Sequence, residues 1–361
     1  MIEQNNNFII EIENNDFIFY EEDKIKGSIQ IVNNNPSFKY FKISLIQEQY
    51  FSQQSSNKKI ERSNCLNTKT IEMVESKKYY FILEIPKSIN PSFEFPGINF
   101  NLYIRYYLKF EYLSNNYVNK KLIIIRSVNK FSSSIFMQFG GSVHKLLFIN
   151  YGNCDASIKM QRDNFKMGEY IYFSLNINNQ TSIKVNKVKI NLIREINIKD
   201  VNVNELIKEE HLLTRSIIKW IVPNHSQSEC NFRLKLKDNE LKYVNLQNWN
   251  FDYKNDMNIQ DLLCSVSSEL FECKYHLKVT VYFSSFVKYN SRPRVLIPFN
   301  VCHKTSEELE EEKKIEMEEG KKIYNKKILD LTDISSIIVN KDDKDFSNFI
   351  DEDIFEEDDL E

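Results

Sequence analysis

Two stretches of this chain carry the same pattern of residues. Positions 23–34 read Asp-Lys-Ile-Lys-Gly-Ser-Ile-Gln-Ile-Val-Asn-Asn, and positions 168–179 read Gly-Glu-Tyr-Ile-Tyr-Phe-Ser-Leu-Asn-Ile-Asn-Asn. A later run of alternating apolar residues, at 100–112, also recurs at 275–283. A long repeat period with apolar residues at every second position predicts two similar β-domains in tandem, rather than one large sheet.

Length and composition agree with a duplicated β-protein. The chain has 361 residues, which is enough for two domains with real cores. Only 7 residues are glycine, so the turns must rely on Asn, Asp and Ser, which tolerate left-handed geometry. We predict an all-β chain of two immunoglobulin-like sandwiches, at 1–143 and 144–303. A charged helix and an acidic disordered tail are expected to follow at 304–361.

The spacing of the cysteines, the composition of the first residues and the length of the apolar runs favour a reduced, cytosolic protein. No cysteines form a Cys-x-x-Cys pair or have zinc-ligand spacing with histidine, so we expect no metal site. Cys302 and His303 are adjacent, and adjacent strand residues point to opposite faces. The first residues lack the basic and apolar regions of a signal peptide, and no apolar run approaches the length of a membrane span.

The sequence offers no motif of a known catalytic chemistry. It has no Gly-x-Gly-x-x-Gly or phosphate-binding loop and no Gly-x-Ser-x-Gly turn, and its five histidines are scattered. Lysines and aromatic residues meet at 39–41 and 78–80, but strand-surface or core positions explain them as well as nucleic-acid binding would. We therefore expect no enzyme activity, no cofactor and no nucleic-acid partner.

The charge pattern changes after His303. Residues 305–361 hold 21 acidic and 8 basic side chains, although the whole chain is close to neutral. Thr305 and Glu308 have the spacing of a helix capping box, and Glu/Lys pairs four residues apart support a helix over about 306–328. Residues 342–361 are acidic with isolated large apolar residues, a composition typical of disorder.

Ordered sequence blocks in both halves resemble the arrestin fold. In the first half these blocks lie at 20–31, 85–100 and 122–128, where Leu-Ile-Ile-Ile-Arg-Ser-Val resembles the arrestin strand that carries a central arginine. In the second half they begin at His144 and continue through 168–188. The resemblance covers nearly all of 8–303; a generic pair of immunoglobulin-like sandwiches is the alternative.

The resemblance implies a cytosolic adaptor that binds cytoplasmic tails of membrane proteins and links them to endocytic or sorting machinery. Clathrin or coat components and an anionic membrane surface are further implied partners, at the plasma membrane or endosomes. Exposed strand edges make such binding physically reasonable, because they can pair with an extended peptide. The alternative is a cargo-binding structural subunit of an endosomal sorting coat, like the arrestin-fold subunit of retromer.

Several arrestin features are altered in this chain. Receptor-binding arrestins join a strand arginine to carboxylates in a buried polar core between the domains. Arg126 matches the arginine, and the resemblance makes Asp252, Asp256 and Asp261 candidates for the carboxylates. Lys26 replaces the aspartate expected before Gly27 in the first domain, and no arginine follows Arg294. A phosphate-triggered switch is therefore not expected, and a buried, paired Arg126 is the simpler interpretation.

Two short sorting signals of related adaptors are also missing or incomplete. The chain has no Pro-Pro-x-Tyr motif for recruiting ubiquitin ligases. Residues 328–333, Ile-Leu-Asp-Leu-Thr-Asp, only approximate a clathrin-binding box because the acid comes one residue late. The end of the charged helix is the preferred interpretation of this segment.

The acidic tail is predicted to be autoinhibitory. Opposite charges on the tail and the body give a weak, salt-sensitive attraction. The candidate anchors in the tail are Phe346, Phe349, Ile354 and Phe355. Removing the chain after about residue 304 should strengthen binding to anionic vesicles or cargo peptides, most clearly at low salt. Equal binding by both forms across a salt series, with free proteolysis of the tail, would show a merely solvated appendage.

Overall fold

The protein consists almost entirely of β-strands, arranged as four sheets in two sandwiches. The computed structural model describes residues 2–4, 8–14, 16–32, 40–53, 58–73, 78–97, 100–112, 117–127, 132–145, 149–199, 206–237, 262–305, 308 and 328–330. In these ranges no helix is long and apolar enough to cross a membrane.

The first sandwich packs a four-stranded sheet on a six-stranded sheet. The smaller sheet has the order β1-β2-β4-β7, and the larger has the order β3-β10-β9-β5-β6, with β8 also paired to β9. Their bounds are β1 Ile2–Gln4, β2 Phe8–Ile12, β3 Ile18–Tyr20, β4 Lys24–Ile31, β5 Tyr40–Gln53, β6 Lys58–Glu72, β7 Lys78–Glu84, β8 Phe93–Pro96, β9 Phe100–Tyr112 and β10 Tyr117–Arg126.

The second sandwich repeats this plan. Its first sheet has the order β11-β12-β14-β17-β21, and its second has the order β13-β20-β19-β15-β16, with β18 also paired to β19. Their bounds are β11 Ile135–Lys145, β12 Ile149–Met160, β13 Asn164–Lys166, β14 Tyr170–Thr181, β15 Val185–Lys199, β16 Leu206–Val222, β17 Ser226–Lys235, β18 Val266–Ser267, β19 Phe271–Phe283, β20 Arg294–Cys302 and β21 Ile328–Asp330.

Alternation of apolar and polar residues explains why these segments form half-buried strands. Along β9 every second side chain, from Phe100 to Tyr112, is buried, and the residues between them are only partly buried. Phe110 contacts Phe41 and Phe81, with ring centroids 6.3 Å apart in both pairs, so it connects the two sheets of the first sandwich. Successive strand side chains point to opposite faces, and this pattern therefore fills the space between the sheets.

Matching hydrogen bonds confirm the internal duplication. In the first sandwich the Ser92 hydroxyl accepts from the Ile125 amide at 2.9 Å, and the Ser92 amide donates to the Ile125 carbonyl at 2.7 Å. In the second sandwich Ser265 and Val301 form the same two bonds at the same lengths. Strands β10 and β20 also each pair in parallel with a short strand, β3 and β13 respectively.

The predicted all-β tandem fold is confirmed, whereas the domain boundaries stay a prediction, on which the strand pairing bears. Strand β11, from Ile135 to Lys145, pairs with β12 in the second sandwich. Strand pairing therefore changes from one sandwich to the other between β10 and β11, earlier than the predicted boundary at 143/144. We propose that the second domain begins near Ile135, because an edge strand belongs to the sheet with which it exchanges hydrogen bonds.

The segment after the second sandwich starts as predicted. The Thr305 amide donates to the Glu308 carboxylate at 2.8 Å, and the Glu308 amide donates to the Thr305 hydroxyl at 3.2 Å, which is a reciprocal capping box. Glu308 is helical, whereas 309–327 and the predicted acidic tail lie outside the described residues. Ile328–Asp330, predicted as a helix end, forms strand β21 instead, because pairing with β17 is available to it.

Candidate functional site: the interface between the two sandwiches

Strand β8 enters the space between the two domains. Ser92, Phe93, Glu94 and Phe95 are all buried, although β8 lies at the margin of its own sheet. The Phe93 ring lies 5.3 Å from the ring of Phe271 in the second sandwich. The buried apolar side chains of the two sandwiches consequently form one continuous cluster, which makes the domain contact part of the hydrophobic core.

Arg126 ends strand β10 at the centre of this interface. Its side chain is only 1% exposed, and its Nη1 donates to the backbone carbonyl of Lys304 at 2.9 Å. Lys304 follows β20, which comes last along the chain among the strands of the second sandwich's larger sheet. A guanidinium removed from water is tolerated only where polar groups replace its hydration. Arg126 therefore ties the first sandwich to the point where the chain leaves the second.

Arg194 approaches the interface from the second sandwich. It lies on β15 and is 0% exposed, and its guanidinium carbon is 4.2 Å from the centre of the Phe95 ring. His211 on β16 packs edge-on against the same ring, with centroids 5.4 Å apart. A desolvated cation over an aromatic face contributes about 2 kcal/mol. Phe95 is thus held by side chains of the opposite domain on two adjacent strands.

His303 is a buried neighbour of Arg126. It is 1% exposed, and within the described ranges neither ring nitrogen has a partner at hydrogen-bonding distance. Burial, together with the positive charge of Arg126, lowers the pKa of His303 to about 3. The backbone near Leu262 and Ser92 opposes this shift without overcoming it. His303 is therefore neutral at physiological pH, which avoids a second positive charge beside Arg126.

The rim of the interface contains weaker contacts. Arg62 and Glu269 form an inter-domain ion pair with a nitrogen–oxygen distance of 2.7 Å, but the glutamate side chain is 63% exposed. Exposed pairs of this type contribute about 0–1 kcal/mol. In the buried part of the interface, the Cys264 thiol donates to the Ser92 carbonyl at a long sulfur–oxygen distance of 4.0 Å. The stabilisation of the interface therefore comes mainly from its buried centre.

Glu94 faces away from the second domain and fixes β8 to its own sheet. Its carboxylate accepts two hydrogen bonds from Arg105, at 2.6 and 3.1 Å. The Arg105 guanidinium lies 4.0 Å from the ring centre of Tyr103, which stacks on Tyr50 with centroids 4.7 Å apart. A bidentate pair of this kind is both strong and directional. It orients β8 so that Phe93 and Phe95 point across the interface.

The exit from the second domain is anchored by a further set of polar contacts. Lys166 on β13 forms an ion pair with Glu308. Burial raises the pKa of Glu308, but hydrogen bonds from Lys166 and Thr305 outweigh it, so the pKa lies below its usual value. The ionised carboxylate therefore accepts from both residues at neutral pH. The start of the C-terminal segment is held close to the carbonyl that Arg126 contacts.

The outer face of the second sandwich's larger sheet is basic at one end. Cross-strand register places Lys187 opposite Lys219, and Lys278 opposite Leu296. Exposed aliphatic side chains lie among these cations. The cations are Lys187, Lys189, Arg215, Lys219, Lys278, Arg292 and Arg294, and the exposed aliphatic residues are Ile217, Ile221 and Leu296. Such a surface suits an anionic partner with some apolar character.

The structure places one of the four predicted polar residues. Arg126 lies in the interface, whereas Asp252, Asp256 and Asp261 fall outside the described residues, so the carboxylate contact stays a prediction. The tail anchors Phe346, Phe349, Ile354 and Phe355 also fall outside them.

Sequence reasoning did not identify Arg194 or His303. For Arg194 there was a signal, since it occupies an inward-facing position between Leu192 and Ile196 in an alternating strand. For His303 there was none, because its burial depends on residues of the other domain.

Comparison with protein families agrees with this geometry. The model of the arrestin (or S-antigen) C-terminal domain matches residues 150–306. No curated protein matches the chain. The second sandwich therefore matches an arrestin C-terminal domain, and the two-sandwich architecture of the chain is consistent with the arrestin fold. The matched range ends just after His303 and Lys304, so it includes the second domain's side of the Arg126 contact.

Replacing Arg126 should weaken the whole domain interface. Arg126→Ala leaves a cavity and removes a charge-assisted hydrogen bond to Lys304, so the free energy of unfolding should fall by about 3 kcal/mol. Urea unfolding followed by circular dichroism measures this change. Arg62→Ala is the matched control, because it removes an inter-domain arginine from the exposed rim and should cost less than about 1 kcal/mol. Equal losses in both variants would contradict the assigned role of Arg126.

His303 should make the protein less stable in acid. Its folded pKa of about 3 lies below the unfolded value near 6.5, so the unfolded chain binds the proton first as pH falls. The free energy of unfolding should drop by up to about 1.4 kcal/mol per pH unit below pH 6.5. Denaturant titrations at several pH values should show that the free energy of unfolding falls less steeply with decreasing pH in His303→Gln than in the wild type. The exposed-site variant His225→Asn should keep the wild-type slope, and an unchanged slope in His303→Gln would refute the assignment.

Proposed function

We propose that this protein is an arrestin-like cytosolic adaptor that binds cytoplasmic segments of membrane proteins and links them to endocytic or sorting machinery. The observation that carries the proposal is the arrestin C-terminal domain at 150–306, joined through a buried interface to a second sandwich of the same strand plan. Two sandwiches fixed in this way present long strands and broad sheet faces. Such surfaces suit extended peptides better than small molecules.

The outer sheet faces support binding of this kind. The basic face of the second sandwich, which includes Lys189, Lys278 and Arg294, would favour the anionic cytoplasmic surface of a membrane. The first sandwich presents the stacked Tyr50 and Tyr103 beside Arg105 on its larger sheet. Aromatic and arginine side chains are the residue types that carry most binding energy in protein interfaces.

The second candidate is a cargo-binding structural subunit of an endosomal sorting coat. It is favoured by two departures of the sequence from the arrestin pattern. Lys26 stands where the arrestin resemblance calls for an aspartate, and no arginine follows Arg294. Both features favour a permanently closed interface over one that opens on contact with phosphate. In either case we propose a non-enzymatic role at the plasma membrane or endosomes, with clathrin or coat components as further partners.

Affinity purification of the full chain tests the adaptor proposal. Purified protein is incubated with detergent-solubilised membranes and with cytosol, and the recovered proteins are identified by mass spectrometry. Transmembrane proteins together with coat or sorting components are expected. Recovery of neither class would count strongly against the proposal.

Native size separates the two candidates. At endogenous concentration a constitutive large complex indicates the coat subunit, whereas a monomer that meets membranes transiently indicates the adaptor. Vesicle flotation adds a surface test: Lys189→Glu with Lys278→Glu should reduce binding to anionic vesicles. A control pair on the other sheet of the second sandwich, Lys159→Glu with Lys235→Glu, should have less effect if the basic face makes the contact. Equal losses would show that only net charge matters.

A further inference from the structure

A segment far along the chain adds a strand to the second sandwich. Strand β21, Ile328–Asp330, pairs in parallel with β17, and the register places Ile328 opposite Asn231 and Asp330 opposite Arg233. β17 would otherwise be the last strand of its sheet in the described part of the chain. The edge of a sheet presents backbone amide and carbonyl groups that another extended segment can pair with.

This added strand is not part of the duplicated architecture. The equivalent of β17 in the first sandwich is β7, and it is the last strand of its sheet among the described residues. The strands β2-β4-β7 and β12-β14-β17 correspond in order, whereas β21 has no counterpart in the described part of the first sandwich. The sandwich fold is thus complete without β21. The edge of β17 therefore acts as an acceptor for a strand, and residues 328–330 are its occupant.

The side chains around this edge are basic and aromatic. The Arg233 guanidinium lies 5.1 Å and the Lys235 amine 5.6 Å from the ring centre of Tyr170. Tyr172, 39% exposed, packs near Tyr170 with centroids 6.3 Å apart. The register of this strand pairs an acidic residue, Asp330, with Arg233. The chemistry of the edge therefore matches an extended peptide with acidic residues after its apolar ones.

We propose that the β17 edge is a binding site for an extended acidic peptide, and that the chain's own residues 328–330 occupy it in competition with that partner. The preferred pattern is the one in this chain, two aliphatic residues followed by an acidic residue, with a further acid at Asp333. The acceptor edge is independent of the proposed function. The further idea that this partner peptide belongs to a membrane protein is the part that rests on the proposed function.

Tethering makes the competition effective although the strand is short. Residues 309–327 connect Glu308, which is anchored to Lys166, to Ile328. Covalent attachment through these residues makes the pairing intramolecular, with an effective concentration on the order of 1 mM at the site. A free peptide of equal intrinsic affinity must exceed that concentration to displace the tail. A partner with additional contacts displaces it at lower concentration, so the site works as a switch.

Peptide binding to the full chain tests the proposal. The probe is a fluorescent synthetic peptide of residues 326–336, measured by anisotropy against wild type and Leu329→Pro. Proline removes a backbone donor and cannot continue the ladder, so it should free the edge. Binding of the probe should be at least about tenfold tighter for Leu329→Pro than for wild type. Ile338→Pro, outside the strand, should behave as wild type.

Two further measurements identify the edge and the chemistry. A probe with Asp330→Lys and Asp333→Lys should lose most of its binding to the Leu329→Pro protein, and so should the native probe when Arg233→Glu is added. Hydrogen exchange should show β17 amides less protected in Leu329→Pro and protected again when the probe is present. Binding that is equal in wild type and Leu329→Pro, or equal for the charge-reversed probe, overturns the proposal. The probe is a peptide of this chain, so a negative result would overturn only the binding site at the β17 edge. Failure to recover membrane proteins in the affinity purification would instead count against the proposed adaptor function.

Discussion

The arrangement of the protein depends on burying the guanidinium of Arg126 between two domains. Arg126 is only 1% exposed, so its charge needs polar groups in place of water. The Lys304 carbonyl of the other domain is one such group. That requirement fixes where the second sandwich ends relative to the first. It also explains the neutral state of His303, whose pKa is lowered by burial and by the neighbouring Arg126 charge. The exit of the C-terminal segment follows directly, because Thr305 and Glu308 continue from the same point.

The internal duplication supplies both sides of the interface. Ser92 and Ser265 make equivalent bonds in the two sandwiches, yet only Ser92 precedes a strand whose phenylalanines cross to the other domain. The same comparison distinguishes β7 from β17, since among the described residues an additional strand pairs with β17 and none pairs with the outer edge of β7. Sequence divergence between two similar domains has thus produced a contact between them and an acceptor edge on one of them.

Local patterns predicted the sandwiches, and long-range contacts account for what those patterns missed. Alternating residues in β9 and the repeat at 168–179 are local signals, so the tandem all-β fold could be read directly. The burial of Arg194 and His303 arises from Phe95 and Arg126, which are distant in sequence. Ile328–Asp330 follows charge spacing that favours a helix, yet it pairs with β17. Edge pairing can override local propensity, and a three-residue strand carries too little pattern to predict.

Differential scanning calorimetry of the full chain tests the central claim, that the buried interface makes the two sandwiches one cooperative unit. The account predicts a single unfolding transition whose calorimetric and van't Hoff enthalpies agree. It further predicts that Arg126→Ala with Phe95→Ala separates this transition into two, one for each sandwich. Two resolved transitions in the wild-type protein would contradict the account, because they would show that the domains unfold independently despite the buried arginines.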